Sequence, residues 1–250
     1  MNEKRVPTGV KGLDQLLCGG LLEGSTALVR GAPGTGKTLL GLQYLIHGAT
    51  HWREPGVLVS FEQFPQALHR DAQALGWDLR ALEEAGQLHL LFTSPQVLLA
   101  DLQSPASPVS RLLGAQGIRR VVIDSVSQFG QLSDDAQELR KVYNTLINAL
   151  KREATTALLL SEETRGGTER EEGGRLSFMV DVIILLRFIE IDSAMRRGVV
   201  VLKMRGSDHA KEIRRFEIGR DGLSAEGVFE GREAILSGTP YRVGSGLARR

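Results

Sequence analysis

Gly31-Ala32-Pro33-Gly34-Thr35-Gly36-Lys37-Thr38 fits the phosphate-loop pattern GxxxxGK[ST]. Residues 25–30 before it (STALVR) read as a β-strand, and residues 39–47 after it (LLGLQYLIH) as a helix. That is the strand–loop–helix setting the pattern requires. Glycines let the backbone curl until its N–H groups converge on phosphate oxygens, and the helix adds its positive N-terminal end. Lys37 would reach the β- and γ-phosphates, while the Thr38 hydroxyl would hold Mg2+. A functionless turn would account for the glycines, but not for Lys and Thr in register between two correct flanks. The stretch predicts a nucleoside triphosphate site.

Two further strands bear on that site. Residues 117–125 (GIRRVVIDS) form an apolar run ending in Asp124. A carboxylate at such a strand end orders Mg2+ or its water opposite Lys37 and Thr38. Residues 56–61 (GVLVSF) read as a buried parallel strand followed by Glu62-Gln63. In an open α/β sheet the carboxyl ends of strands line the ligand crevice, so Glu62 stands where a base can polarise water. The alternative for Glu62 is an acid favoured by the dipole of the helix that follows.

The remaining chain reads as the rest of an α/β domain. Residues 6–22 suggest a turn, a short helix and a glycine turn leading into the first central strand. An amphipathic helix is expected over 65–75, a turn at Gly76-Trp77-Asp78, and a short strand over 88–92. Residues 95–116, polar and interrupted by proline, are expected to be patchily helical and superficial. Leu139, Val142, Tyr143, Leu146, Ile147 and Leu150 recur at helical spacing and predict a helix packed on the sheet. Residues 156–161 read as a buried strand, after which Glu162-Glu163 either touch the site or are solvated. Residues 165–174 read as a charged, glycine-rich loop. Two strands over 181–188 and 198–204 suggest a hairpin joined through 190–197. A β-rich end follows, with a loose tail over 243–250. His47 and His51, four apart, lack the acidic residue of an HExxH metal motif and read as a plain helix end.

Composition narrows the class. The 250 residues are 42% hydrophobic and 24% charged, with net charge +1, so no global field draws in nucleic acid or an anionic membrane. Cys18, the single cysteine, excludes an internal disulfide framework and suits a reducing cytosol. No apolar run has the length of a signal peptide core or membrane span, which predicts a cytoplasmic protein. No linker or repeat is evident, so residues 1–250 read as one domain, with 1–22 as a lead-in.

Almost end to end, the chain resembles a single RecA-type domain of the KaiC family, the ATPase and autokinase of the cyanobacterial clock. The residues that carry the resemblance are Gly12-Leu13-Asp14 with Gly19-Gly20-Leu21-Leu22, the phosphate loop, Ser60-Phe61-Glu62, Gly76-Trp77-Asp78-Leu79 and Val121-Val122-Ile123-Asp124-Ser125. Later come Ile183-Ile184-Leu185-Leu186, Lys203-Met204-Arg205-Gly206-Ser207-Asp208-His209 and Ile235-Leu236-Ser237-Gly238-Thr239-Pro240. Clock KaiC has two such domains in tandem, and this chain holds one.

The resemblance implies a RecA-like P-loop NTPase fold: a mostly parallel twisted sheet flanked by helices, β-rich at its C-terminal edge. It also implies a homohexameric ring with ATP and Mg2+ at the subunit interfaces. Lys37 and Glu62 would be catalytic. Gly31 to Thr38, with Leu39 and Asp124, would hold nucleotide, and Thr38, Glu62 and Asp124 the metal. Lys203 and Arg205 would reach the γ-phosphate from the neighbouring subunit, with Met204, Ser207 and His209 near the nucleotide. A trans cation of this kind is worth roughly 10³–10⁵ in rate.

The chain departs from the family twice. Gln63 stands where the family shows a second carboxylate, and Ser177-Phe178 stands where clock KaiC carries its phosphorylated Ser-Thr pair. Gln63 keeps open a module that binds ATP without turning it over, and Ser177 a limited autokinase activity. A recombinase-like ATPase on DNA would share the fold, but the low net charge argues against it.

Overall fold

A computed structural model describes residues 4–115, 117–163, 176–229, 232–233 and 241–242. The loop expected over 165–174, the 235–240 motif and the tail over 243–250 lie outside the described residues.

The fold is a RecA-like α/β arrangement. Its central strands are β3 (Thr26–Gly31), β4 (Gly56–Ser60), β5 (Leu88–Phe92), β6 (Arg120–Asp124), β7 (Thr156–Glu162) and β8 (Val182–Ile191). With β9 (Ala194–Met204), β10 (Arg214–Gly219) and β11 (Gly222–Val228) they make a nine-stranded sheet in the order β11-β10-β9-β8-β3-β7-β6-β4-β5. From β8 to β5 all neighbours are parallel, and from β8 to β11 all are antiparallel. A smaller pair, β1 (Arg5–Val6) with β2 (Leu21–Leu22), closes the lead-in.

Alternation along the strands divides the core between two faces, because successive side chains point opposite ways. On β3, Ala27 and Val29 join one apolar cluster and Leu28 the other; on β4, Leu58 joins the first, Val57 and Val59 the second. The first cluster takes in α2 (Lys37–His47) and the lead-in helix α1 (Leu13–Leu16). Val10, Leu13, Leu16 and Leu17 are fully buried, so the lead-in is part of the core. The second cluster is covered by α7 (Ala136–Arg152), whose Leu139, Tyr143, Leu146, Ile147 and Leu150 are buried on one stripe, as their spacing predicts. Asp135 caps α7 by accepting from the Gln137 N–H at 2.7 Å.

Three expectations need correction. Residues 95–116 are not superficial: they form α5 (Pro95–Gln103) and α6 (Pro108–Ala115), and Leu98, Leu102, Val109 and Leu113 enter the second cluster. The β8–β9 hairpin turns at Asp192-Ser193 alone, both with positive φ, so its strands extend well beyond the expected joint. After α3 (Pro65–Gln73) and the Gly76 turn comes a short helix absent from the sequence reading, α4 (Leu79–Glu84).

Candidate nucleotide-binding site

Strand β3 delivers the phosphate loop to the carboxyl edge of the sheet, and α2 carries it back. Gly36 sits at the helix entry with φ +101°, in the left-handed region that only glycine adopts easily. A Cβ on Gly31 would stand 2.7 Å from the Leu186 carbonyl and from Thr35 Oγ1. Gly36 is required by its φ, and Gly31 because the loop has no room for a side chain. Farther along α2, Gly41 lets the helix close on β6, where a Cβ would stand 2.8 Å from Val122. This approach sets the loop beside the end of β6.

Lys37, Thr38, Glu62 and Asp124 line one open cleft with Pro33, Gly34, Gly36 and Leu39. Thr38 Oγ1 donates to Asp124 Oδ2 at 2.6 Å. Lys37 is buried and turns back into the loop, donating from Nζ to the carbonyls of Gly31 (2.8 Å) and Ala32 (3.1 Å). Burial lowers the Lys37 pKa against the opposing pull of Glu162, Asp124 and Glu62. Burial also raises that of Asp124, offset by the Thr38 hydrogen bond and by Lys37. A buried ammonium facing several carboxylates is electrostatically poised for an anion with its own divalent cation.

The donor set fits both groups. The Thr38 hydroxyl and Asp124 carboxylate are hard oxygen ligands already side by side, as Mg2+ prefers. The N–H groups of the first turn of α2 have no partners within the helix and face the loop, the arrangement that receives phosphate. Gln63 Oε1 is buried without a hydrogen-bond partner on the wall of the same cleft. From there an apolar groove runs past Leu39, Leu42, Leu68 and Leu75.

The group at 203–209 does not join this cleft. Strand β9 is antiparallel to β8, and Met204 pairs with Val182, which pairs with Ala27 at the start of β3. Arg205 therefore lies level with Thr26, roughly 17 Å along the strand direction from Gly31. Lys203 Nζ donates to the carbonyls of Ser177 and Val180, each at 2.7 Å, and an Arg205 Nη to that of Phe178 at 2.7 Å. Arg205 is exposed and Lys203 half-buried, its pKa lowered by burial and by Arg205. The Met204 side chain is in the core. Ser207 Oγ accepts from an Arg5 Nη at 2.5 Å, and the His209 N–H is donated to Asp208 Oδ1 at 2.9 Å.

Of the two acids that sequence places either at the site or in solvent, Glu162 lines the cleft, whereas Glu163 pairs with Arg30 at 3.7 Å. One residue beside the site has no signal in the sequence. Gln128 donates from Nε2 to Glu62 Oε1. At the far end of α2, His47 and His51 stack with ring centroids 4.4 Å apart. No cluster of three or more His, Cys, Asp or Glu with metal-holding geometry occurs among the described residues.

A phosphate loop with its lysine and hydroxyl, opposed by an acid at the end of a neighbouring parallel strand, defines a nucleotide-binding domain of the RecA class. A family model described as "ATPase: KaiC" matches residues 6–227. The circadian clock oscillator protein KaiC of Picosynechococcus sp. is 34% identical over 227 residues, covering 88% of this chain and 44% of that protein. KaiC of Prochlorococcus marinus is 35% identical over 230 residues, covering 90% and 46%. A KaiC-like protein from the hyperthermophilic archaeon Pyrococcus horikoshii OT3 superposes with TM-score 0.79 at 29% identity, covering 90% of this chain and 100% of that one. The chain belongs to the KaiC ATPase family, and it spans less than half the length of those two curated relatives. Among the described residues no helix is long and apolar enough to cross a membrane.

Proposed function

We propose that this chain is an Mg2+-dependent ATPase that works as a homo-oligomeric ring, six copies by analogy with its family, in a regulatory or signalling role. The observation that carries the reading is the convergence of Lys37, Thr38, Glu62 and Asp124 on one cleft. ATP is the substrate. The α2 N-terminus and the loop N–H groups receive its phosphates, and Lys37 moves from the Gly31 and Ala32 carbonyls onto the β- and γ-oxygens. Thr38 and Asp124 hold Mg2+, which when bound neutralises charge developing on the phosphates. Glu62 accepts the proton of the attacking water, and Gln63 lies beside it.

Lys203 and Arg205 are the trans cations of this reading. Their place at the opposite end of the sheet removes them from their own cleft, and Arg205 is exposed there, which is what supports a trans role. Phosphate release should fall at least 10²-fold in Lys37→Ala and Glu62→Gln, as expected for removing a main electrostatic or general-base group. Arg205→Ala subunits mixed with wild type should depress activity more than in proportion. Unchanged turnover in all three variants would remove the assignment, and a linear mixing curve would remove the trans role.

Gln63 favours a second reading, in which ATP assembles the ring without appreciable turnover. Sizing with Mg·ATP and with a non-hydrolysable analogue, beside phosphate release, separates the two. Mass spectrometry after incubation with ATP tests Ser177 as a phosphate acceptor.

A further inference from the structure

We infer that Gln128 is a positioning residue for the hydrolytic step, holding Glu62 in the orientation in which it accepts a proton from water. The inference rests on the proposed role of Glu62 and adds to it a partner outside the phosphate-loop motifs.

Strands β4 and β6 are parallel neighbours, with Ser60 opposite Asp124, so the segments leaving them run side by side. The Phe61 N–H donates to the Asp124 carbonyl at 2.9 Å, and the Gln128 N–H to the Ser125 carbonyl at 3.2 Å, in the 3₁₀ turn Val126–Leu132. The residues next to Glu62 and Gln128 are themselves locked together. Phe129 is fully buried, and Phe61 packs edge-to-face against it with centroids 5.4 Å apart and planes at 82°. This contact fixes the two backbones, and across it the Gln128 amide donates from Nε2 to Glu62 Oε1.

Glu62 lines the cleft and Gln128 does not. The amide therefore engages one carboxylate oxygen and leaves Oε2 as the acceptor this inference assigns. A glutamate has three rotatable side-chain bonds, and Gln63 supplies no second charge beside it. A neutral amide restrains such a group without the repulsion a carboxylate neighbour would add. The adjoining Ser127 does the same for the next strand, its Oγ accepting from the Glu162 N–H at 2.9 Å. One 3₁₀ turn thus orders the strand ends on both sides of Asp124.

The test is a double-mutant cycle on phosphate release, with nucleotide affinity and thermal midpoint measured for each variant. Gln128→Ala should lower turnover about tenfold to a hundredfold, the scale of a misplaced catalytic group, with affinity for Mg·ATP and the midpoint unchanged. Gln128→Glu, which sets like charges together, should lower it further. On the Glu62→Gln background, Gln128→Ala should have no additional effect. Equal losses on both backgrounds, or no loss on the wild-type background, would overturn the inference while leaving Glu62 in its role. If Glu62→Gln itself retains full turnover, the carboxylate and its positioning partner both leave the mechanism.

Discussion

Replacing Arg120 by alanine should be among the most damaging single changes in this protein. The guanidinium on β6 is completely buried. Its Nε and one Nη reach Glu54 Oε2 at 2.9 and 2.8 Å, and the other Nη donates to the carbonyls of Pro7 (2.8 Å) and Tyr44 (3.0 Å). It also lies 4.6 Å from the centroid of the Tyr44 ring, and its proximity opposes the upward push of burial on the Tyr44 pKa. Truncation would leave Glu54 nearly buried without its cation, at about 3–5 kcal/mol for a broken buried pair. Two carbonyls would also lose donors, at about 1–3 kcal/mol each where water cannot enter. These losses overlap, so about 4–6 kcal/mol is expected. At roughly 2–4 °C per kcal/mol for a chain of this size, the midpoint should fall by about 10–20 °C. Glu54→Ala leaves both carbonyl bonds in place but strands the fully buried guanidinium, so it should cost about 3–5 kcal/mol, and the double variant should lose less than the sum. Urea unfolding of all four proteins gives the cycle. A loss below about 1 kcal/mol in Arg120→Ala would refute the view that this one side chain ties the lead-in, the end of α2 and β6 together.

Three further outcomes follow from the site and its flanks. Asp124→Asn should abolish phosphate release without lowering stability: burial raises the carboxyl's pKa in the fold, so its charged form costs stability at neutral pH, and a clearly destabilised variant would contradict this. His47 has a pKa lowered by burial and by His51 and Arg120, against the pull of Asp14 and Glu54. Below about pH 6.5 the unfolded chain takes up this proton first, so stability is full above that pH and lost as pH falls toward the folded value. His47→Gln should flatten the acid limb of a midpoint-versus-pH curve, and an unaltered limb would assign it elsewhere. Gly36→Ala forces a side chain into φ +101° with its Cβ 3.0 Å from Ile218 Cδ1; nucleotide affinity should drop at least tenfold in a titration, and wild-type affinity would show that the loop tolerates a shift.

The phosphate loop, the β6 acid and the stripe on α7 were legible because each depends on a few consecutive residues or one period. The prolines misled at 95–116, where chain breakers were expected to keep the segment irregular and outside. In the structure Pro95 and Pro108 each stand at a helix start, where a missing N–H has no consequence. Ser94 and Ser107 precede them and accept from the N–H groups of Val97 (3.3 Å) and Ser110 (3.0 Å). Serine-proline in this setting opens a helix, and the leucines behind it go to the core.

The contacts of Gln128 with Glu62 and of Arg120 with Glu54 each span 66 residues of chain and depend on β4 and β6 lying next to each other. No local pattern carries that adjacency, and a polar residue in a 3₁₀ turn or an arginine at a strand start looks like surface until the sheet order is known. Lys203 and Arg205 are the opposite case, conspicuous in sequence and absent from their own cleft. Sheet order accounts for this as well. An antiparallel strand added to a parallel sheet ends where its neighbours begin, so residues at the end of β9 are carried away from the phosphate loop of their own chain. Cations placed there can serve a phosphate only if a second copy presents one, and for that reason the mixing experiment with Arg205→Ala subunits, rather than the single variant alone, decides whether this edge of the sheet belongs to an active site.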